Sequence, residues 1–173
     1  MIKAGVARVV GAILDPDPRV SGEGFAKLSA AGVIVARDVC ADEARALNSG
    51  FFKRVSEGRP LVALKTAQSA DGYVADAHGK SKWITGERAR AHGHLLRAKH
   101  DAIMVGIETA LADDPALTCR LPGLEDRSPL RVVLDSRLRL PAASQLARTA
   151  RAVPTIVFTA AGQAGEEIGR AYV

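Results

Sequence analysis

The sequence has few aromatic residues, few cysteines and no long apolar run, and each shortage excludes a class of protein. Aromatic side chains make up 4% of the 173 residues, too few for the stacking platforms of single-strand nucleic-acid binders. The two cysteines, Cys40 and Cys119, lie far apart and outside any CxxC spacing, so we expect neither a disulfide framework nor a cysteine zinc site. No apolar stretch approaches the roughly 20 residues of a membrane-spanning helix, and we expect no membrane partner.

Several ligand-binding motifs are also missing. The four histidines, His78, His92, His94 and His100, follow no metal-ligand spacing such as HExxH. We therefore interpret them as surface residues and expect no metal site. No GxGxxG follows a predicted strand, and no GxxxxGK[ST] is present. A bound nucleotide would have to be held by some other scaffold.

The charge balance indicates an anionic partner. The formal net charge is +5, and the excess lies in the second part of the chain: residues 1–58 carry 8 basic and 7 acidic side chains, whereas residues 59–173 carry 16 and 12. Such a balance suits a phosphorylated small molecule or nucleic acid. Because the basic residues form no run, we expect the small molecule and no nucleic acid. The amino terminus lacks the features of a signal peptide, so the cytoplasm is the expected location.

Short apolar runs alternate with helical patterns along the chain, which is typical of an α/β protein with a parallel sheet. The pattern resets at Glu57–Pro60, where we place a boundary between domains over 1–58 and 59–173. The predicted elements of the first domain are strands over 8–14 and 33–39, a helix over 25–32, and a helix over 41–58 with an apolar face of Ala44, Leu47, Phe51 and Val55. Those of the second are a strand beginning at Leu61, a helix capped by Thr85, strands over 101–106, 130–136 and 155–160, and a helix over 107–115.

Three polar stretches, 64–72, 79–85 and 106–120, stand at or just beyond predicted strand ends, where α/β sheets bind their ligands. Lys65 lies inside an apolar strand, where an ammonium group is costly to bury unless it has a partner, and Asp113 is a candidate for that partner. A solvated lysine on an edge strand is the alternative for Lys65. Asp114 has a simpler explanation, because an acid directly before a proline favours an extended turn.

Three blocks of the second domain resemble the reductase domain of the bifunctional riboflavin-biosynthesis deaminase/reductase family. They are "LKTAQSADGYVADAHGKSKWIT", "LLRAKHDAIMVGIETALADDPALTCR" and "LRVVLDS". Residues 4–35 and 43–52 resemble the closing portion of the deaminase domain that precedes this reductase in the family. The resemblance implies a partial cytidine-deaminase-like α/β remnant followed by a dihydrofolate-reductase-like α/β domain. It also implies an NADPH-dependent reduction of 5-amino-6-(5-phosphoribosylamino)uracil, a phosphorylated pyrimidine, to its ribitylamino product.

The resemblance assigns roles to residues at matching positions. Asp113 falls at the reaction centre and against the cofactor, and Lys65 joins it in handling the proton and the developing charge. The positions that line NADPH are Ala67, Trp83, Thr109 and Ser136, and those that hold the substrate are Ser81, Arg97, Leu117 and Arg120. Two arginines suit the substrate's phosphate, because a guanidinium can bind it in a bidentate way.

A purely structural interpretation is also open for three of these residues. Trp83 and Leu117 would also fit a hydrophobic core. Arg97 stands near the end of its helix, where a cation favours the helix dipole in any case.

Two parts of the family pattern are absent from the sequence. The HxE and PCxxC patterns that hold zinc in the deaminase are missing, so we expect a deaminase remnant without zinc or deaminase activity. A later glycine-rich segment that helps to bind the cofactor is missing as well, so we expect a reductase domain that is truncated at its C-terminal end. The alternative is a catalytically silent fragment that at most binds nucleotide or a partner. The sequence leaves open whether the chain forms a homo-oligomer.

Overall fold

The structure is a computed structural model that describes residues 1–160 of the chain. The chain divides into two compact units between Lys65 and Thr66, a few residues after the predicted boundary. The last part of the predicted second domain, residues 161–173, lies outside the described residues. None of the helices over residues 1–160 is long and apolar enough to cross a membrane.

The first unit contains a pair of short parallel strands joined by a helix. Strand β1 (Arg8–Val10) pairs with β2 (Ile34–Ala36), and α1 (Glu23–Ala30) lies between them in sequence. Gly32 follows α1 with a left-handed φ of 81°, which agrees with the predicted helix end. Both strands are shorter than predicted, because the two segments pair over three residues only.

The predicted helix over 41–58 is in fact two helices, α2 (Ala41–Leu47) and α3 (Ser49–Glu57). They meet at Asn48, whose side-chain Nδ2 donates to the carbonyl oxygen of Ala44 at 2.9 Å. Asparagine offers the backbone such alternative hydrogen bonds and therefore interrupts helices. The predicted continuous apolar face is wrong for the same reason, and Leu47 is 86% exposed.

The second unit is built on three parallel strands, β3 (Ala102–Gly106), β4 (Leu130–Leu134) and β5 (Thr155–Phe158), in the order β3-β4-β5. The predicted α/β fold with parallel strands is thereby confirmed. The helices of this unit are α4 (Glu87–Lys99), α5 (Ile107–Asp113) and α6 (Gln145–Arg148), and a 3-10 turn spans Glu125–Arg127.

Two predictions for this part of the chain are wrong. Residues 61–69 form no strand, since a strand needs a neighbour to satisfy its backbone groups and none of the described strands pairs with them. Thr85 does not cap α4, because the helix begins one residue later and Gly86 occupies the capping position. The Thr85 carbonyl instead accepts from Nη1 of Arg90 at 2.7 Å.

The core of the second unit lies on one face of the sheet. Val133 and Val157 point from neighbouring strands into a cluster with Ile107, Leu140 and Leu146, which come from α5, α6 and the chain between β4 and β5. The opposite face carries Met104 in the middle of β3 and Leu134 and Phe158 at the ends of β4 and β5, and these side chains are about half exposed. The hydrophobic stabilisation therefore comes chiefly from the face that α5 and α6 cover.

Arg131 is a fully buried arginine in the middle strand. Its Nη1 donates to the Ala116 carbonyl at 3.1 Å and to the Thr149 hydroxyl at 2.8 Å. Its Nη2 donates to the carbonyls of Leu146 at 3.1 Å and Val153 at 2.6 Å. Burial lowers the pKa of the guanidinium below its ordinary range. Arg131 thus ties the sheet to the segments that follow α5 and α6.

We predict that Arg131→Met lowers the free energy of unfolding by about 3 kcal/mol or more, because each buried acceptor that loses its donor costs roughly 1–3 kcal/mol. Urea unfolding of the whole chain measures this as a lower midpoint. Arg151→Met is the matched control, since Arg151 is exposed and its replacement should change stability by about 0.5 kcal/mol at most. Equal midpoints for the two variants would contradict a tying role for Arg131.

Candidate active site

Two of the predicted cofactor residues follow neighbouring strands. Thr109 lies on α5 directly after β3, and Ser136 lies two residues after β4. Gly106 and Leu134 are register partners at the ends of these parallel strands, so both segments leave the sheet at the same edge. Both Thr109 and Ser136 are exposed. This edge is where α/β sheets bind ligands, as the sequence predicts.

The turn that carries Ser136 is fixed by its neighbour Asp135, which is fully buried. Asp135 Oδ2 accepts from the backbone N–H of Leu140 at 2.8 Å, whereas Oδ1 has no hydrogen-bond partner in the described part of the chain. The Ser136 carbonyl accepts from the N–H of Ala160 at 3.3 Å. The position of Ser136 is therefore set by the backbone around it and by a buried carboxylate.

The two adjacent acids at the end of α5 have different surroundings. Asp114 adopts a left-handed conformation with φ 38°, and its Oδ1 accepts from the backbone N–H of Gln145 at 2.8 Å. Asp114 therefore makes a turn, as predicted, but a left-handed one rather than an extended one, which aspartate tolerates better than most residues. Asp113 is the last residue of the helix, is exposed, and takes part in none of the ion pairs among residues 1–160.

Both predicted phosphate-binding arginines contact one histidine, Arg97 through its side chain and Arg120 through its backbone. Nδ1 of His94 on α4 lies 3.2 Å from Nη1 of Arg97, one turn further along the helix, and 3.2 Å from the backbone N of Arg120. Nη1 of Arg97 also donates to the Thr118 carbonyl at 3.0 Å. We call His94, Arg97, Thr118 and Arg120 the arginine–histidine cluster. His94 is part-buried, so its interpretation as a surface residue is wrong.

The arginine–histidine cluster concentrates positive charge. Burial lowers the pKa of Arg97, and the Arg120 guanidinium lowers it further. The pKa of His94 falls below its ordinary value of 6.5 because the ring is partly buried and because Arg97 and Arg120 lie close to it. A partly buried cation whose charged form is destabilised by a second cation is a favourable place for an anion, which would relieve the repulsion.

Leu117 lies in the same connecting segment, but its side chain belongs to the core. It is 5% exposed and packs in the cluster beneath the sheet. Its backbone is left-handed, with φ 53°. The core interpretation therefore holds for the side chain of Leu117. Its role in substrate binding stays a prediction, and the backbone is the part that could fulfil it.

Trp83 and Ser81 lie in the irregular segment before α4. Trp83 is 72% exposed, so its interpretation as a core aromatic is wrong. The guanidinium of Arg90 on α4 lies 4.4 Å from the centre of its ring, a cation–π contact that orients the indole. Trp83 borders an open depression together with Ser69, Tyr73 and Lys82. Ser81 is exposed nearby in sequence.

Lys65 and Ala67 lie in the segment without regular structure. Lys65 is exposed and belongs to the first compact unit, whereas Asp113 belongs to the second. Their pairing stays a prediction. Ala67 is partly buried, at the start of the second unit.

Three residues near these segments were not singled out from the sequence as site residues. His94 could have been found, because it stands three positions before Arg97 and such residues share one face of a helix. Asp135 could have been noticed as the first acid after an apolar strand. Arg90 gives no signal in the sequence, since its contact with Trp83 depends on the path of the segment between them. Residues 1–160 hold no group of His, Cys, Asp and Glu side chains arranged to bind a metal ion.

Comparison with known proteins identifies the family to which the chain belongs. The family model described as the RibD C-terminal domain matches residues 60–171, so the chain belongs to this family. The riboflavin biosynthesis protein RibD of Aquifex aeolicus is 44% identical over 92% of this chain and 44% of its own length. The protein of the same name from Escherichia coli is 44% identical over 81% of this chain and 41% of its own length.

Solved structures give the same fold. A diaminohydroxyphosphoribosylaminopyrimidine deaminase/5-amino-6-(5-phosphoribosylamino)uracil reductase from Thermotoga maritima matches 99% of this chain and 48% of its own, with 36% identity and a TM-score of 0.85. RibD of Acinetobacter baumannii matches 96% of this chain and 47% of its own, with 40% identity and a TM-score of 0.80. The α/β fold expected from the family is confirmed. This chain spans less than half the length of these relatives.

The two adjacent acids should respond differently to mutation. Asp114→Ala should lower the free energy of unfolding by about 1–2 kcal/mol, since it removes the hydrogen bond to Gln145 and places alanine in a left-handed conformation. Asp114→Asn, which keeps an acceptor and tolerates that conformation, should cost less. Asp113→Ala is the matched control and should leave the unfolding midpoint nearly unchanged. A larger loss of stability for Asp113→Ala than for Asp114→Ala would reverse this assignment.

Proposed function

We propose that the second unit is a reductase that uses NADPH to reduce the ribosyl group of 5-amino-6-(5-phosphoribosylamino)uracil, in riboflavin biosynthesis. Membership of the RibD C-terminal domain family supports this proposal, as does the likeness to the Thermotoga maritima deaminase/reductase. The structural observation that carries it is the arginine–histidine cluster, which joins the end of α4 to the segment that runs on from Asp113.

The cluster supplies what a phosphorylated substrate needs. Arg97 is held at Nη1 by the Thr118 carbonyl and by His94, so part of its hydrogen-bonding capacity is fixed and its other nitrogens are left for a ligand. Arg120 is anchored through its backbone, and its side chain is exposed. A phosphate bound between the two guanidinium groups would offset the repulsion that lowers the pKa of Arg97. Ser81 and the backbone of Leu117 would contact the rest of the substrate.

The residues at the edge of the sheet fit a dinucleotide cofactor. Thr109 and Ser136 follow the ends of β3 and β4, where Gly106 and Leu134 are register partners, and both are exposed. Trp83 offers an exposed aromatic surface for stacking, and Ala67 completes the set taken from the family. NADPH, when bound, would supply the hydride. The polar side chains would orient it, while Asp113 would lie against both cofactor and substrate.

The remaining chemistry concerns charge and a proton at the sugar. Reduction of the ribosyl carbon requires the open-chain imine or its protonated form, in which positive charge develops next to the reacting carbon. The Asp113 carboxylate would stabilise that charge, and the ammonium group of Lys65 would assist the proton transfer. Asp113 is free for this task because the turn and the tie to α6 are made by Asp114.

We further propose that the first unit corresponds to the closing part of a deaminase domain. The likeness to the Thermotoga maritima deaminase/reductase extends over 99% of this chain, which supports the proposal. The unit also lacks a hydrophobic core of the size expected for a whole domain. Within residues 1–65, all of which the structure describes, Val33 is the only buried hydrophobic side chain. We expect neither zinc binding nor deamination by this unit. The protein acts in the cytoplasm in this proposal, and its substrate is a soluble phosphorylated pyrimidine.

The test of the reductase separates binding from turnover. Asp113→Asn should lower kcat by about 100-fold or more and leave the Kd for NADPH within about threefold, because a carboxylate that handles charge in the transition state adds little to cofactor binding. Asp126→Asn, at another exposed acid, is the matched control. Turnover by Asp113→Asn at the wild-type rate would remove Asp113 from the mechanism.

NADPH binding can be followed through Trp83, which is the only tryptophan of the chain. Titration with NADPH should change its fluorescence, and replacement of Arg90 by alanine should weaken binding by several-fold because the indole loses the cation that orients it. Calorimetry on the same samples provides an independent affinity. A wild-type chain that shows no response at millimolar NADPH would favour the alternative, a catalytically silent fragment.

A further inference from the structure

We propose that His94 is a positioning residue for substrate binding: its neutral imidazole accepts hydrogen bonds at Nδ1 from Arg97 and from the backbone of Arg120, and so holds both arginines in place for the phosphate. The inference rests on the proposed function for the identity of the substrate. It adds a residue that touches neither substrate nor cofactor. Its basis is the geometry of the arginine–histidine cluster.

The hydrogen bonds around His94 decide which form of the ring is present. Nδ1 lies 3.2 Å from three atoms: two donors, Arg97 Nη1 and the Arg120 backbone N, and one acceptor, the Thr118 carbonyl oxygen. A proton on Nδ1 would donate to the carbonyl, but the Arg120 N–H would lose its acceptor and Nη1 of Arg97 would lose one of its two. That carbonyl already accepts from Nη1 of Arg97 at 3.0 Å. The arrangement therefore favours Nδ1 as an acceptor, with the ring proton on Nε2.

The surrounding charges favour the same form. Burial and the guanidinium groups of Arg97 and Arg120 lower the pKa of His94, which favours the neutral ring. The 3-10 turn Glu125–Arg127 also packs against α4 and carries Glu125, Asp126 and Arg127. Glu125 is engaged elsewhere, since its Oε2 accepts from the backbone N–H of Gly123 at 2.9 Å.

The neutral ring joins two parts of the chain that are distant in sequence. Arg97 stands near the end of α4, and Arg120 follows the connecting segment that begins after α5. A second link holds the same two segments, because the Cys119 thiol donates to the carbonyl of His94 at 3.5 Å. His94 thus fixes the direction of the Arg97 side chain and the path of the backbone that presents Arg120.

The test compares three variants of the whole chain. His94→Leu removes the acceptor and should raise KM for the ribosylaminouracil substrate by about 10- to 100-fold, with kcat and the Kd for NADPH within about twofold. His94→Asn places an amide oxygen where Nδ1 lies and should restore KM to within about threefold of the wild-type value. His92→Leu is the matched control, since His92 is exposed on the same helix and should leave all three constants unchanged.

A second measurement does not depend on turnover. Binding of inorganic phosphate, followed by calorimetry, should weaken in His94→Leu and persist in His94→Asn. NMR titration of the His94 ring should show a pKa below 6.5 in the wild-type chain, and the pKa should rise when Arg97 is replaced by methionine. Thermal unfolding of each variant identifies any that fails to fold, and His94→Asn then carries the comparison with the wild type.

The outcomes separate this inference from the proposed function. Phosphate binding that depends on His94 as described, in a chain without NADPH-dependent turnover, would contradict the proposed function and support the positioning role. Unchanged KM and phosphate binding in His94→Leu would overturn the inference and leave the reductase intact. Equal losses of substrate and phosphate binding in His94→Asn and His94→Leu would also overturn the inference, because the shape of the ring rather than its hydrogen-bond acceptor would then matter. A wild-type chain that binds neither phosphate nor substrate would overturn both.

Discussion

The parallel pairing of β3 with β4 is the constraint on which the candidate site depends. It sets Gly106 beside Leu134, so the segments that follow these two strands start from the same edge of the sheet. Thr109 and Ser136 follow neighbouring strand ends for this reason, although 26 residues lie between them in sequence. The buried face of the sheet keeps the pairing in register, because a slip by one residue would turn Val133 away from the core.

The arginines of the second unit show how the surroundings of a charge distinguish structure from function. Arg131 is fully buried, and its two Nη atoms donate to three carbonyls and one hydroxyl, so its hydrogen bonds are internal. Arg97 is held at one nitrogen and lies close to a second cation, Arg120. A partly buried cation that lies close to another cation is a favourable place for an anion. Arg131 therefore supports the fold, whereas Arg97 suits the anion-binding role proposed for it.

Local sequence patterns could predict the strands and helices of the second unit, but not the contacts that depend on chain path. The apolar runs of β3, β4 and β5 and the helix that ends at Asp113 follow from periodicity and from Pro115. The predicted strand at Leu61 is wrong because a strand depends on a partner, which no local pattern supplies. His94 was misinterpreted for a similar reason: its burial comes from Thr118 and Arg120, more than 20 residues further along the chain.

The end of α5 shows how one turn gives two neighbouring carboxylates different tasks. Asp113 is still helical and remains exposed, whereas Asp114 has left-handed backbone angles that turn the chain toward α6. Because the side chain and the carbonyl of Asp114 both accept from Gln145, the turn is fixed without help from Asp113. In the proposed reaction, Asp113 can therefore change its interactions without loss of the turn, because Asp114 alone makes the hydrogen bonds to Gln145. The same turn directs the chain toward Arg120 and the arginine–histidine cluster.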